Sequence, residues 1–212
     1  MFPDLFDSAH DEILGEGAML LRGFAAPLAP ALLEEVQKIA ATAPFRHLVT
    51  PGGHIMSVAM TNCGAAGWMS DRRGYRYATL DPLTGTTWPA MPPSFQQLAR
   101  DAARAAGFFT YAPDVCLINR YAPGAKMTLH VDHDEKDSVA PIVSVSFGLP
   151  AIFLWGGKMR AEKPRRVPVE SGDVIVWGGP SRHHYHGVLP LKSGEHPLTG
   201  AARINLTFRQ AL

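Results

Sequence analysis

Arg203-Ile204-Asn205-Leu206-Thr207-Phe208-Arg209, written RINLTFR, alternates without a break between Arg203, Asn205, Thr207, Arg209 and the apolar Ile204, Leu206, Phe208. A period of two is that of a β-strand, whose successive side chains point to opposite faces. One face is therefore apolar, and the other is cationic and polar. Two placements satisfy the pattern. On an edge strand the polar face would meet solvent, with the arginines discouraging edge-to-edge pairing. Inside a barrel, two guanidinium groups flanking an amide would form a receptor for a carboxylate, whose oxygens match the paired donors of arginine.

Upstream of this strand, short apolar or alternating runs recur at 115–121, 127–132, 141–148, 151–155, 173–177 and 183–188, separated by turns such as Gly156-Gly157 and Ser171-Gly172. Two helices precede them. Pro30 to Ala40 puts Leu32, Val36 and Ile39 on one stripe, and Pro93 to Arg104 has Ser94 or Pro93 near its start and Gly107 to end it. Phe45–Thr50 and His54–Thr61 read as two strands of a hairpin across Pro51-Gly52-Gly53, with Met56, Val58 and Met60 on one face. Asn62 to Trp88 reads as a loop-rich segment carrying Trp68, Tyr75 and Tyr77. Seven or eight short strands after two helices give an α+β domain, an antiparallel barrel or jelly roll with helices packed outside. No repeat or linker divides it, so one domain over 1–212 is expected, with a support-helix region at 1–44.

The composition excludes several classes. With 46% hydrophobic and 18% charged residues the chain is globular rather than disordered. No apolar run approaches the roughly 18 residues of a membrane span, and the start, MFPDLFDSAHDEIL, is acidic where a secretory signal is basic. A cytoplasmic protein with no membrane partner is expected, and a monomer is the default. Two cysteines, Cys63 and Cys116, read as buried thiols rather than a disulfide framework. The net charge of +1 is unevenly spread: residues 1–45 hold seven acids and two bases, residues 46–126 four acids and eight bases. The middle of the chain can face an anion, but the whole is not a basic nucleic-acid binder.

Chemistry concentrates in Leu129-His130-Val131-Asp132-His133-Asp134-Glu135. If 127–132 is a strand, His130 and Asp132 share a face and His133 falls on the other. An imidazole, a carboxylate and a second imidazole from a distant strand make the facial triad of non-haem Fe(II) oxygenases, which leaves positions open for substrate and oxygen. The second imidazole comes from Ser181-Arg182-His183-His184-Tyr185-His186-Gly187, where spacing alone leaves both His184 and His186 as candidates. Leu117, Asn119 and Tyr121 alternate with Ile118 and Arg120, so an amide and a phenol can point where the arginines point.

With these residues in hand, the chain resembles the AlkB family of Fe(II)/2-oxoglutarate-dependent nucleic-acid demethylases. The likeness is carried by PFRHLVTPGGHIMSVAMTNCG, WPAMP, CLINRYAPGAK, LHVDHDE, APIVSVSFGLPAIF, GDVIVWGG and RINLTFRQ, from about Phe45 onward. It implies a double-stranded β-helix core over 93–212 and a nucleotide-recognition lid over 45–92. It selects His186 through Tyr185-His186-Gly187, making His130, Asp132 and His186 the iron ligands and catalytic centre. Leu117, Asn119, Tyr121, Ser144, Arg203, Asn205 and Arg209 then hold 2-oxoglutarate, with Arg203, Asn119 and Tyr121 at its distal carboxylate and Arg209 and Asn205 nearer the iron. Thr50, Met56, Met60, Trp68, Tyr75, Asp134, Glu135 and Arg160 would meet the substrate: Trp68 stacking on the flipped base opposite His130, Asp134 and Glu135 at the base edge, and Arg160 at the rim.

The implied reaction is oxidative demethylation of N1-methyladenine and N3-methylcytosine with Fe(II), 2-oxoglutarate and O2, releasing formaldehyde. Alkylated single-stranded DNA is the expected partner, with double-stranded DNA and RNA as further candidates. Both lesions are cationic, so nearby carboxylates favour them over normal bases. Val131 and His133 depart from the longer polar residues of the family's block. Rival readings are a 2-oxoglutarate hydroxylase of protein or small molecules, and a non-catalytic binder of methylated nucleic acid.

Overall fold

The structure, a computed structural model, describes residues 10–137 and 139–212. Residues 1–9 of the expected support region therefore lie outside the described residues. The elements in chain order are β1 (Glu12–Gly15), β2 (Ala18–Leu21), α1 (Ala29–Thr42), β3 (Arg46–Val49), β4 (Ile55–Gly64), β5 (Gly67–Asp71), β6 (Gly74–Ala78), α2 (Pro93–Ala105), β7 (Val115–Tyr121), β8 (Met127–His130), β9 (Ile142–Gly148), β10 (Ala151–Trp155), β11 (Arg165–Val169), β12 (Val174–Trp177), β13 (His186–Val188) and β14 (Arg203–Arg209). Among the described residues they build a major sheet of eight strands, β1-β2-β12-β9-β14-β7-β4-β3, and a minor sheet, β11-β10-β13-β8. Every pairing is antiparallel, as in a jelly roll.

β14 decides the interior. It lies between β9 and β7, and all seven of its residues are buried, so the edge-strand placement of RINLTFR is excluded. Its apolar parity, Ile204, Leu206 and Phe208, joins Cys116, Ile118, Val143, Val145 and Phe147 in one cluster with Leu32 and Val36 of α1 and Phe95 and Leu98 of α2. Phe95 meets Phe208 edge to face at 5.8 Å. The polar parity points the other way, into the space between the sheets. Both helices start at a proline in the first turn, where the missing N–H costs nothing, and Gly107 at φ +90° lets the chain turn away after α2.

Several expectations change. The loop-rich reading of 62–88 is corrected: β4 runs on to Gly64, and β5 and β6 form a hairpin that pairs Trp68 with Tyr77. Its aromatic and arginine side chains hid the alternation. Gly67 packs flat against Trp88, whose ring would clash with any Cβ there, and the Trp88 indole donates to the Ala78 carbonyl at 2.8 Å. WPAMP thus anchors the base of the hairpin. The region before 44 is more than a support helix, because β2 extends the major sheet beside β12 and β1 follows it. β11, in RRVPV, also went unread, since its charged residues break the pattern.

Candidate active site

β8 ends at His130, not at 132, because its pairing with β13 stops where His130 faces His186. Residues 131–135 leave the sheet, so strand alternation does not place Asp132. Arginines do: Arg209 donates to Asp132 Oδ2 through Nε at 2.9 Å and Nη2 at 2.6 Å, and Arg182 donates to its carbonyl at 3.0 Å. The expected strand over 183–188 is likewise shorter, beginning at His186, because 179–185 form a tight turn with His184 N donating to Ser181 O at 3.0 Å.

The result is a cluster. Ligand atoms of His130, Asp132 and His186 all lie within 4.8 Å of one another. The His130 Nδ1 sits 2.8 Å from the Thr128 carbonyl and the His186 Nδ1 3.1 Å from the His184 carbonyl. A carbonyl only accepts, so each Nδ1 carries the proton and each Nε2 keeps a lone pair for a metal. Burial, then the neighbouring His130, push the His186 imidazole down to about 3, which keeps it neutral as a ligand must be. Burial opposes ionisation of Asp132, yet Arg209 foremost, with His186 and His130, holds its carboxyl below the usual range. His184 is elsewhere, bonded to Gly156 O and stacked on Trp155 at 5.1 Å.

Beside the cluster lies a cavity of about 60 Å³ lined by Leu117, Asn119, Tyr121, His130, Ser144, His186, Arg203, Asn205 and Arg209. Arg203 is 2% exposed, gives Nη2 to Ser146 Oγ at 2.8 Å and lies over the Tyr121 ring at 4.9 Å. Its Nε and Nη1, with Arg209 Nη1 and Asn119 Oδ1, have no partner among the described residues. Burial accordingly lowers the Arg203 guanidinium below its ordinary value. A buried cation with unused donors is costly on its own, and an anion in the cavity removes that cost. Asn205 is spent inside the network, donating to Ser144 Oγ and the Val145 carbonyl, both at 2.9 Å, and accepting from Thr207 at 2.9 Å. Two neutral imidazoles, one ionised carboxylate and a cationic chamber fit a divalent iron and a dicarboxylate that chelates it.

Residues 17–209 match the family model for the 2OG-Fe(II) oxygenase superfamily. The chain is 57% identical over 210 residues to the alpha-ketoglutarate-dependent dioxygenase AlkB of Salmonella typhimurium, covering 98% of this chain and 97% of that protein. The chain belongs to the AlkB family. As an AlkB protein it is an Fe(II)- and 2-oxoglutarate-dependent dioxygenase that takes O2 as its other co-substrate. The likeness extends over the first 44 residues as well, which corrects the expectation that it starts near Phe45. A solved structure titled "The structure of OsALKBH1" superposes with a TM-score of 0.84 at 30% identity, covering 95% of this chain and all of that one. An Arabidopsis thaliana relative, DNA N(6)-methyladenine demethylase ALKBH1C, is 30% identical over 174 residues, 70% of this chain and 38% of that protein.

The residues expected at the AlkB substrate are spread around the mouth. Trp68 stacks on Tyr75 with ring centroids 5.5 Å apart and donates its indole N–H to Asp134 Oδ2 at 2.8 Å. Thr50 sits in the β3–β4 turn, its hydroxyl accepting from His54 N at 3.1 Å. Met56 is half-buried, Met60 is buried at 2% exposure, and Arg160 occupies an exposed turn between β10 and β11. Glu135 is a correction. Its side chain is 3% exposed and bound to Arg182 at 2.9 Å, to Arg209 at 3.2 Å and to the Tyr77 hydroxyl at 2.7 Å, so it does not face a base edge. A buried carboxylate takes cations where it finds them, and two arginines hold this one inward. Sequence reasoning missed Arg182, Ser146, Thr207, Trp177 and Gly187. Thr207 shares the parity of Arg203 and was legible. Gly187 has no room for a side chain, since a Cβ would sit 2.7 Å from the Met127 carbonyl.

Proposed function

We propose that this chain removes methyl groups from N1-methyladenine and N3-methylcytosine in nucleic acid by oxidative demethylation, releasing formaldehyde and restoring the base. The carrying observation is the pairing of a cationic chamber behind the His130–Asp132–His186 cluster with an aromatic and acidic mouth in front of it, Trp68, Tyr75 and Asp134. The demethylase name of the Arabidopsis relative supports the same substrate class.

In this reading His130, Asp132 and His186 hold the iron, and Arg203, Asn119 and Tyr121 receive the distal carboxylate of 2-oxoglutarate. Arg209 fixes Asp132 and, with Asn205, Ser144 and Leu117, shapes the end nearer the metal. Bound together with O2, the iron and 2-oxoglutarate supply the oxidation of the N-methyl carbon, leaving succinate and carbon dioxide. The chain positions everything else. Residues 45–92 act as the nucleotide-recognition lid, with Thr50, Met56 and Arg160 along the strand and Met60 supporting them from beneath. Trp68 replaces the stacking that a flipped base loses, worth about 1 to 3 kcal/mol. Asp134 accepts from the exocyclic amine and favours the cationic lesion. With a net charge of +1 the protein neutralises few phosphates, which suits a single-stranded or opened DNA bound by a monomer in the cytoplasm.

The test is to incubate the protein with Fe(II), 2-oxoglutarate, ascorbate and an oligonucleotide carrying one N1-methyladenine, and to weigh the oligonucleotide by mass spectrometry. Loss of one methyl-for-hydrogen exchange that needs both iron and 2-oxoglutarate is the expected result. Succinate formation with no mass change on any methylated oligonucleotide would sink the substrate assignment.

A further inference from the structure

We propose that Glu135 is a positioning residue of the metal site and that, together with Tyr77, it mechanically links the β5–β6 hairpin to Asp132. The inference rests on the assignment of Asp132 as a metal ligand above.

After His130 the chain leaves the minor sheet, so no ladder holds Asp132. Two buried arginines do that work. Arg209 takes Asp132 Oδ2 through two N–H groups, leaving Oδ1 3.6 Å from His130 Nε2 and turned towards the imidazoles. Arg182 grips the backbone, with Nη1 on the Asp132 carbonyl and Nε on the Ala140 carbonyl, both at 3.0 Å. Glu135 touches both: its Oε2 accepts from Arg182 Nη2 at 2.9 Å and its Oε1 lies 3.2 Å from Arg209 Nε. The side chains of Arg182, Glu135 and Arg209 are 2%, 3% and 7% exposed, so water does little to relax them. A guanidinium is planar with its donors in fixed directions, so the carboxylate that orients it also aims its remaining donors at Asp132.

Charge gives a second reason. Asp132 and Glu135 balance Arg182 and Arg209 within this buried group. Without the Glu135 charge, two arginines would stand against one carboxylate beside a site for a dication, and repulsion would weaken the metal.

The same carboxylate meets the hairpin. Tyr77, on β6, donates its hydroxyl to Glu135 Oε1 at 2.7 Å, while Trp68, on β5 and paired with Tyr77, donates to Asp134. The hairpin is thus tied at two adjacent residues to the irregular run that carries Asp132. A nucleotide entering against Trp68 shifts the hairpin, and the Tyr77–Glu135 bond passes that shift through Arg209 to the metal carboxylate.

The experiment uses Co(II) as a visible stand-in for iron, titrated into the wild-type protein, Glu135→Gln and Tyr77→Phe, with and without a methylated oligonucleotide. Glu135→Gln keeps size and shape; we expect Co(II) affinity to fall about 10- to 100-fold, the usual effect of altering a ligand's supporting partner, with a displaced absorption band. Tyr77→Phe should bind Co(II) normally, yet its band should no longer move when the oligonucleotide binds, as it does in the wild type. Wild-type affinity and band in Glu135→Gln, or an unaltered oligonucleotide response in Tyr77→Phe, would overturn the inference. Should Glu135→Gln melt early, Arg182→Lys, which keeps the charge and loses the fork, must show the weakened Co(II) binding instead, and normal binding there overturns it. If the wild type neither binds nor demethylates the oligonucleotide, the substrate assignment fails, while the Co(II) titrations, which contain no nucleic acid, still decide the role of Glu135.

Discussion

The inner wall of the cavity and its outer mouth are built in opposite ways. On the wall, regular strands set Arg203, Asn205, Thr207 and Arg209 beside Asn119, Tyr121 and Ser144, and each of these is buried. At the mouth, Trp68 and Tyr75 come from a two-stranded hairpin, Asp134 from an irregular run and Arg160 from an exposed turn. A small dianion is always the same shape, so rigid donors suit it. A nucleotide on a strand is not, and the Trp68 contacts to Tyr75 and Asp134 are ones that an incoming ring can replace.

The sharpest way to break this contrast is at the junction of wall and mouth. His186→Ala removes one tooth of the metal cluster, and succinate production should fall to background with loss of bound iron, read by metal analysis. On the wall, Arg203→Met should lower affinity for 2-oxoglutarate by at least thirtyfold, since truncating one partner of a buried charge pair costs about 2–5 kcal/mol. Its melting temperature without ligand should not fall, because Arg203 Nε and Nη1 have no partner to lose. Calorimetry and a thermal melt on the same sample check both halves. At the mouth, Trp68→Ala should raise the KM for a methylated oligonucleotide by about five- to 150-fold, the equivalent of one lost base stack, while the KM for 2-oxoglutarate stays put.

The smallest effect tests how the mouth is anchored. Arg46 on β3 clasps Asp81 with two bonds of 2.6 Å, and this hydrogen bonding holds the Asp81 carboxyl below its ordinary 3.8. A depressed carboxyl adds stability that is complete above the unfolded value and lost as pH falls through the lower folded value. Asp81→Asn should therefore cost about 2–4 °C in melting temperature near neutral pH, for each 1 kcal/mol lost, and the gap to wild type should close below pH 4.

Legibility followed the same division. β7, β9 and β14 were read to within a residue because each is buried on both faces with strict parity, and with them the set that lines the cavity. Parity also kept the choice between wall and edge open, since only the neighbours of β14 settle which face sees water. Asp132 was rightly grouped with His130 for a reason that does not hold: β8 stops at His130, and arginines distant in sequence place the carboxylate. Glu135 was misread because an acid in a charged run looks solvated until Arg182, Arg209 and Tyr77 close around it. The β5–β6 hairpin escaped because its alternation is written in Trp, Tyr, Arg and Gly rather than in aliphatic residues.

The pairing of β2 with β12 joins residues 18–21 to residues 174–177. A ribosome delivers the first of these strands long before the second, and non-local pairings of this kind are the slow step of β-rich folding. Until β12 emerges, β2 has no partner and the rim of β9 that β12 will cover stands open. Translation that stalls short of residue 174 therefore leaves nascent chains with unpaired strand edges, the form most apt to aggregate and most in need of a chaperone.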